Sequence, residues 1–163
     1  MANRWKSDRR KFETIVSSPL TRARRTAEII GEALSIEVVT DEVWFEIDAG
    51  GLTGLPKEEG PIRFPKMNAF HGPFDRIAAG SGESEAQVHS RALRALDSMI
   101  NFSNACLIVS HGAFLNAVIR MAFSIPVPVN RNGVLFRFGD TGYMDLAYNR
   151  DVHRWALLNF TNG

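Results

Sequence analysis

Two short stretches of this sequence set polar side chains where an apolar run gives way to a helix pattern. Ser17-Ser18-Pro19-Leu20-Thr21-Arg22 places Arg22 in the first turn of one helix. Ser110-His111-Gly112 places an imidazole at a strand tip, beside a glycine that lets backbone approach closely. In open α/β sheets, ligands sit beyond the carboxyl ends of the strands, where helix N-termini offer free N–H groups and the positive end of the dipole. An arginine, a histidine and two helix starts on one such edge have the chemistry of a phosphate clamp. Taken singly, each residue has a plainer reading. Arginines near helix starts are mostly solvated, strand-tip histidines are mostly structural, and Glu46 is an ordinary surface carboxylate. The joint pattern is what favours chemistry.

The elements that must position these residues alternate between strand and helix. Thr14 to Ser17 reads as a short buried strand. Ser18 is placed to cap the following helix, with Pro19 at its first position, and Ala23, Ala27, Ile30 and Leu34 mark one face. Ile36 to Thr40 reads as a second strand and Ala105 to Ser110 as a third, which leads into a helix through Phe123. A long amphipathic helix opens on the capping pattern of Ser84 and Gln87, with Val88, Ala92, Leu96 and Met99 on one side. Continuous apolar strands of this kind suit a parallel sheet buried on both faces. Val134 to Phe160 reads as two or three shorter strands, with turns at Asp140-Thr141-Gly142 and Asn149-Arg150-Asp151. The expected fold is α/β, a three-layer sandwich about a mainly parallel sheet, in a single domain over residues 1–163. Residues 55–82 change texture, with prolines, glycines and isolated aromatics such as Phe64, Phe70 and Phe74. A stretch of that length in a compact domain is expected to be a lid or specificity insert over a site.

Composition excludes several classes. A net charge of +1 argues against coating a polyanion, although the first 25 residues hold eight Lys or Arg against two acids. Arg9-Arg10-Lys11 and Arg22, Arg24 and Arg25 read as solvated helix faces with no aromatic platform, so no nucleic-acid partner is expected. No apolar run approaches the roughly 18 to 20 residues of a membrane helix, and no signal-peptide core is present. A cytoplasmic location without a membrane partner is the expectation. The lone Cys106 cannot form an intramolecular disulfide or a structural zinc site by itself, and its apolar surroundings mark it as a core residue.

Four segments carry a resemblance in the same order along the chain. They are Ser17 to Ala27 (SSPLTRARRTA), Glu46 to Gly50 with Gly54 beyond, Gly82-Glu83-Ser84 with Arg91 one helix face later, and Leu107 to Gly112 (LIVSHG). They resemble the S-S-P-L-x-R-A-x-x-T-A, E-x-x-x-G-x-x-x-G, G-E-S and V-S-H-G motifs of the histidine phosphatase superfamily, which includes cofactor-dependent phosphoglycerate mutases. The resemblance implies hydrolysis or transfer of phosphomonoesters through a phosphohistidine. It makes Arg22 the second phosphate-binding arginine and His111 the second histidine at the transferring group, with Gly112 and Ala113 joining them in substrate binding. It makes Glu46 the proton donor to the leaving group, and Trp44 and Phe45 give that carboxyl apolar neighbours. The implied partner is a phosphorylated small molecule or phosphate ion, and no metal or cofactor is called for. A phosphoryl group in transfer spreads charge over its equatorial oxygens, which guanidinium, imidazolium and backbone donors can stabilise.

One motif has no counterpart. The family ends its first strand on R-H-G, whose histidine becomes phosphorylated, and Arg-His-Gly occurs nowhere in this sequence. His71, His89 and His153 fall in the insert, in a helix and in the tail. Only 16 residues precede Ser17, and Met1 to Lys6 resembles the closing turn of the family's first helix. The expectation is a phosphoglycerate mutase-like domain with its first strand missing, through truncation or a start-site error, or through real loss in a degenerate paralogue. Such a chain should be inactive as given for lack of the nucleophile. The alternative is a non-catalytic module that binds phosphate ligands or proteins. A sheet without that strand bares an apolar edge, so a homo-oligomer formed through it is also expected. Leu52 and Thr53 stand where many relatives have tryptophan and an acid, which leaves mutase, phosphatase and substrate open.

Overall fold

β-branched and apolar residues flanked by helices on both faces pair in parallel at the centre of the fold. The computed structural model describes residues 1–65, 72–78, 80–129 and 132–163. In chain order the first elements are α1 (Ala2–Ser7), β1 (Ile15–Ser17), α2 (Thr21–Leu34), β2 (Val38–Thr40) and α3 (Glu59–Arg63). There follow β3 (Arg76–Ala78), β4 (Ser81–Ser84), α4 (Glu85–Ile100), β5 (Leu107–Val109), α5 (Gly112–Ala122), β6 (Tyr143–Asn149) and β7 (Arg154–Thr161). The parallel sheet has the order β2-β1-β5, with Ile15 opposite both Val38 and Leu107.

Side chains of successive strand residues leave on opposite faces, and β1 shows how this builds two cores. Ile15 packs with Trp5 of α1 and with Ala27 and Ile30 of α2. Val16 packs on the other side with Val88, Ala92 and Leu96 of α4, Phe114 and Val118 of α5, and Trp44. The result is the expected three-layer α/β arrangement, with three strands in its parallel sheet. The expected tail strands reduce to one antiparallel hairpin, β6–β7. Val134 to Gly139 stays irregular; Asn116 of α5 holds it by accepting from the Phe136 N–H at 2.7 Å and donating to the Phe136 C=O at 2.8 Å.

Element ends depart from the expectation where backbone groups find other partners. Ser18 does not cap α2. Its N–H continues the sheet by donating to the Val109 C=O at 2.9 Å, and the helix begins at Thr21 with Leu20 as its N-cap. β2 starts two residues late because the Ile36 N–H is spent on the Gly31 C=O of α2. The capping box of α4 forms as read, with Ser84 and Gln87 serving each other's backbone N–H, a motif worth about 1 kcal/mol. Residues 55–82 contain α3, β3 and the first half of β4, while Phe70 and His71 lie outside the described residues. Among the described residues no helix is long and apolar enough to cross a membrane.

Candidate functional site

Parallel pairing of β1 with β5 puts Ser17 beside Val109, so the two strand exits, Ser18 and Ser110-His111, emerge side by side. The His111 ring bridges them. Its Nε2 lies 2.8 Å from Ser18 Oγ, and its Nδ1 accepts a 3.1 Å hydrogen bond from Arg22 Nε. With the Nδ1 lone pair occupied, the ring proton sits on Nε2 and points at the serine. The ring is only 6% exposed. Burial pushes its pKa below the ordinary histidine value and the Arg22 charge pushes the same way, while Glu46 acts weakly in the opposite sense. The imidazole is therefore neutral at neutral pH. Arg22 itself is exposed, and its Nη groups meet no acceptor among the described residues.

Glu46 reaches the same edge from the opposite side. Asp41 caps a 3-10 turn over Glu42–Trp44, and Trp44 is buried edge-on to Phe114 with centroids 6.0 Å apart. Ser110 Oγ donates to the Trp44 C=O at 2.8 Å, which ties this loop to the strand tip that carries His111. Glu46 Oε1 then accepts the backbone N–H groups of Ile47 at 2.9 Å and Phe114 at 3.0 Å. The second of these is a free donor of the first turn of α5. The N–H groups of Gly112 and Ala113 have no partner among the described residues, and both residues are exposed.

All five residues singled out in the sequence, Arg22, Glu46, His111, Gly112 and Ala113, thus converge on one sheet edge. Two further contributions were not read from the sequence. Ser18, taken for a helix cap, orients His111. Arg91 of α4 pairs with both oxygens of Glu83, at 2.9 and 2.6 Å, and also donates to the C=O groups of Val43, Phe45 and Glu46. The spacing of Glu83 and Arg91 across the start of α4 was visible, but the loop they hold was not.

The remaining described candidates lie away from this edge. His89 is buried with Nδ1 on the Glu85 C=O, and His153 contacts the Tyr148 hydroxyl at the β6–β7 turn. Burial, helped by Glu13, pushes the Cys106 thiol up to about 12, so it is a poor nucleophile. No group of three or more His, Cys, Asp or Glu among the described residues is placed to hold a metal ion. What the arrangement can do is hold a tetrahedral oxyanion between an exposed guanidinium and two helix-start N–H groups, with a carboxyl group close by.

Comparison with known proteins bears on the family and the fold. A family model described as the histidine phosphatase superfamily (branch 1) matches residues 2–161. An uncharacterized phosphatase of Bacillus subtilis, PhoE, is 32% identical over 113 residues, which are 66% of this chain and 52% of that protein. A probable phosphoglycerate mutase, GpmB of Yersinia enterocolitica, is 33% identical over 124 residues, covering 72% of this chain and 56% of its own length. The chain therefore spans about half the length of these relatives. Among solved structures, a mycobacterial glucosyl-3-phosphoglycerate phosphatase, Rv2419c, in complex with VO3 superposes with a TM-score of 0.79 at 22% identity, over 99% of this chain and 82% of the other.

Proposed function

The chain belongs to the histidine phosphatase superfamily, and from that premise we propose that Arg22, His111 and the Gly112 and Ala113 N–H groups form an oxyanion site for phosphomonoesters. Glu46 stands as proton donor to the leaving oxygen. The observation that carries this reading is the Arg22–His111–Ser18 chain of hydrogen bonds beside the two unpartnered helix-start donors. The same site serves either phosphoryl chemistry or simple capture of a phosphate ligand. The second reading draws on the absence of any Arg-His-Gly from the 163 residues. Residues 55–82 are read as the cover of this site. Phe64 packs onto Gly51, and the Gly51 N–H donates to Ser81 Oγ at 2.9 Å, which fastens this segment to the loop that follows Glu46.

Calorimetric titration with inorganic phosphate tests the site. Removing one charge-assisted guanidinium contact is worth about 1.5 kcal/mol or more, so Arg22→Ala should weaken binding about tenfold. An unchanged affinity would place the anion elsewhere. Sulfate, whose charge is constant across neutral and mildly acidic pH, isolates the role of His111. Its lowered pKa makes the ring neutral at pH 7, so sulfate should bind more tightly as pH falls through that pKa and the imidazolium forms. A flat profile, or one unchanged in His111→Gln, would remove the histidine from the site. On p-nitrophenyl phosphate the 163 residues alone should stay at background, because a clamp without a nucleophile does not open the covalent route to a very slow reaction. Turnover that vanishes in His111→Ala would refute this.

A further inference from the structure

The parallel sheet ends in an open edge at β2, which pairs only with β1 among the described residues. The Ile15 N–H donates to the Glu37 C=O and the Asp41 N–H to the Ser17 C=O, so the backbones of residues 37, 39 and 41 turn toward β1. Successive residues of a strand bond to opposite sides, which turns the N–H and C=O of Val38 and Thr40 outward. A hollow flanks that row of free groups on each face of the sheet. On the α4 face a cavity of about 530 Å³ is lined by Val16, Val39, Trp44, Met99 and Phe102, and by the exposed Asp41 and Glu42. On the α2 face a hollow of about 390 Å³ is lined by Gly31, Ile36 and Val38 together with Glu28, Glu32 and Glu37.

The charge around this edge is of one sign. Residues 26–56 hold seven Asp or Glu and no Lys or Arg, in a chain whose net charge is +1, and β2 lies at the middle of that stretch. Arg24 and Arg25 answer Glu28 and Glu32 at exposed, solvent-screened distances of 3.2 to 3.9 Å. The carboxylates of Glu37 and Glu42 are exposed and meet no cation among the described residues. An edge so guarded rejects a second β2. Two-fold antiparallel pairing about Val39 would set Glu37 of one copy opposite Asp41 of the other, and like charges placed so are destabilising. The same charges favour a strand that brings cations.

We propose that the β2 edge docks a basic extended segment of another protein, added beside β2 as a further strand whose side chains alternate basic, apolar, basic. Because alternate side chains of a strand leave on opposite faces, the two basic ones reach the carboxylates of the α2 face, with their aliphatic stems over Ile36 and Val38. The apolar one between them enters the cavity beside Trp44 and Phe102, where Asp41 and Glu42 extend the same negative field. Backbone bonds to Val38 and Thr40 set the register, and the two hollows set the choice of sequence.

The probe is a fluorescein-labelled peptide with an Arg-Phe-Arg centre between serines, titrated by fluorescence anisotropy. Saturable binding at one peptide per chain is expected, with no binding of a Glu-Phe-Glu counterpart. Glu32→Gln together with Glu37→Gln should weaken binding about tenfold, the combined worth of two exposed ion pairs. Phosphate titration of that variant should match the wild type, which shows that the fold and the anion site are intact. N-methylation separates strand addition from charge alone. Successive amides of an added strand face the edge and solvent in turn, so methylating both arginine amides and methylating the phenylalanine amide must differ, one abolishing binding and the other leaving it. No saturable binding, equal effects of the two methylation patterns, or indifference to the two glutamates would overturn the proposal. So would a dimer in light scattering that Val39→Lys dissociates, because a second copy would then hold the edge.

Discussion

Arg91→Ala is expected to cost about 3 kcal/mol of stability and to lower Tm by about 6 to 12 °C, although Arg91 contacts neither Arg22 nor His111. The guanidinium is largely buried, at 12% exposure, and every one of its nitrogens is used. Nε and Nη2 hold Glu83, Nη1 donates to the Val43 and Phe45 C=O groups at 3.0 and 2.7 Å, and the group lies 4.0 Å over the Phe114 ring. Truncation strands a carboxylate and several carbonyls at once, and unpaired groups of this kind cost more than the bonds they lose. Lysine should recover under half of the loss, because a single ammonium cannot serve a carboxylate fork and a row of carbonyls together.

The pH dependence carries the same signature. Burial works to raise the Glu83 carboxyl, but the Arg91 guanidinium and the Asp48 N–H outweigh it and hold its pKa below the ordinary value. A carboxyl depressed in the folded state stabilises above its unfolded pKa, and that contribution fades as pH falls through the folded value. Urea unfolding of the wild type should therefore weaken on acidification more steeply than that of Arg91→Ala. A loss under 1 kcal/mol at neutral pH, or parallel pH profiles, would reduce Arg91 to a surface contact.

What the sequence disclosed and what it hid divide along the range of the interactions. The β-branched runs around Val16, Val39 and Ile108, the Ser84–Gln87 box and the apolar stripe of α4 are local patterns, and each element stands near its expected place. Ser18 was misread because a serine before Pro19 satisfies the local rule for a cap, while its actual competitor, His111, is 93 residues away. The start of β2 was read too early for a local reason, because the Ile36 N–H turns back to Gly31 at the end of α2. Arg22, Glu46 and His111 were legible as a set through ordered motifs. The hold of Arg91 on the Glu46 loop was not, since it depends on the path of three carbonyls that no side-chain pattern encodes.

The tightest constraint on that loop is expected to show in Gly82→Ala, at a cost of about 3 to 4 kcal/mol. Gly82 has φ +80, and a Cβ there would sit 2.5 Å from the Asp48 C=O oxygen, 2.7 Å from Gly50 N and 2.9 Å from Ala49 C. All three atoms are backbone, so no rotamer change relieves the contact. The approach is reciprocal, because Gly50, at φ +56, would push its own Cβ to 2.5 Å from Gly82 N. Around this crossing the Glu83 N–H donates to the Asp48 C=O at 2.8 Å and the Asp48 N–H to Glu83 Oε2 at 3.0 Å. An added methyl group must part the two segments. It then costs left-handed strain of about 1 to 2 kcal/mol together with roughly 1 kcal/mol for each hydrogen bond loosened. Gly54 separates these causes, since it too has positive φ, +78, but nothing lies within 4 Å of its Cβ position. Gly54→Ala should therefore show the conformational strain alone, about 1 kcal/mol. Because the displaced segment carries Glu46, Gly82→Ala should also disturb the Glu46 contact with the Phe114 N–H, read as a shifted amide resonance for Phe114 that Gly54→Ala leaves in place. Equal stability losses in the two variants would mean that backbone strain, and not the crossing of the two segments, is what glycine relieves at position 82.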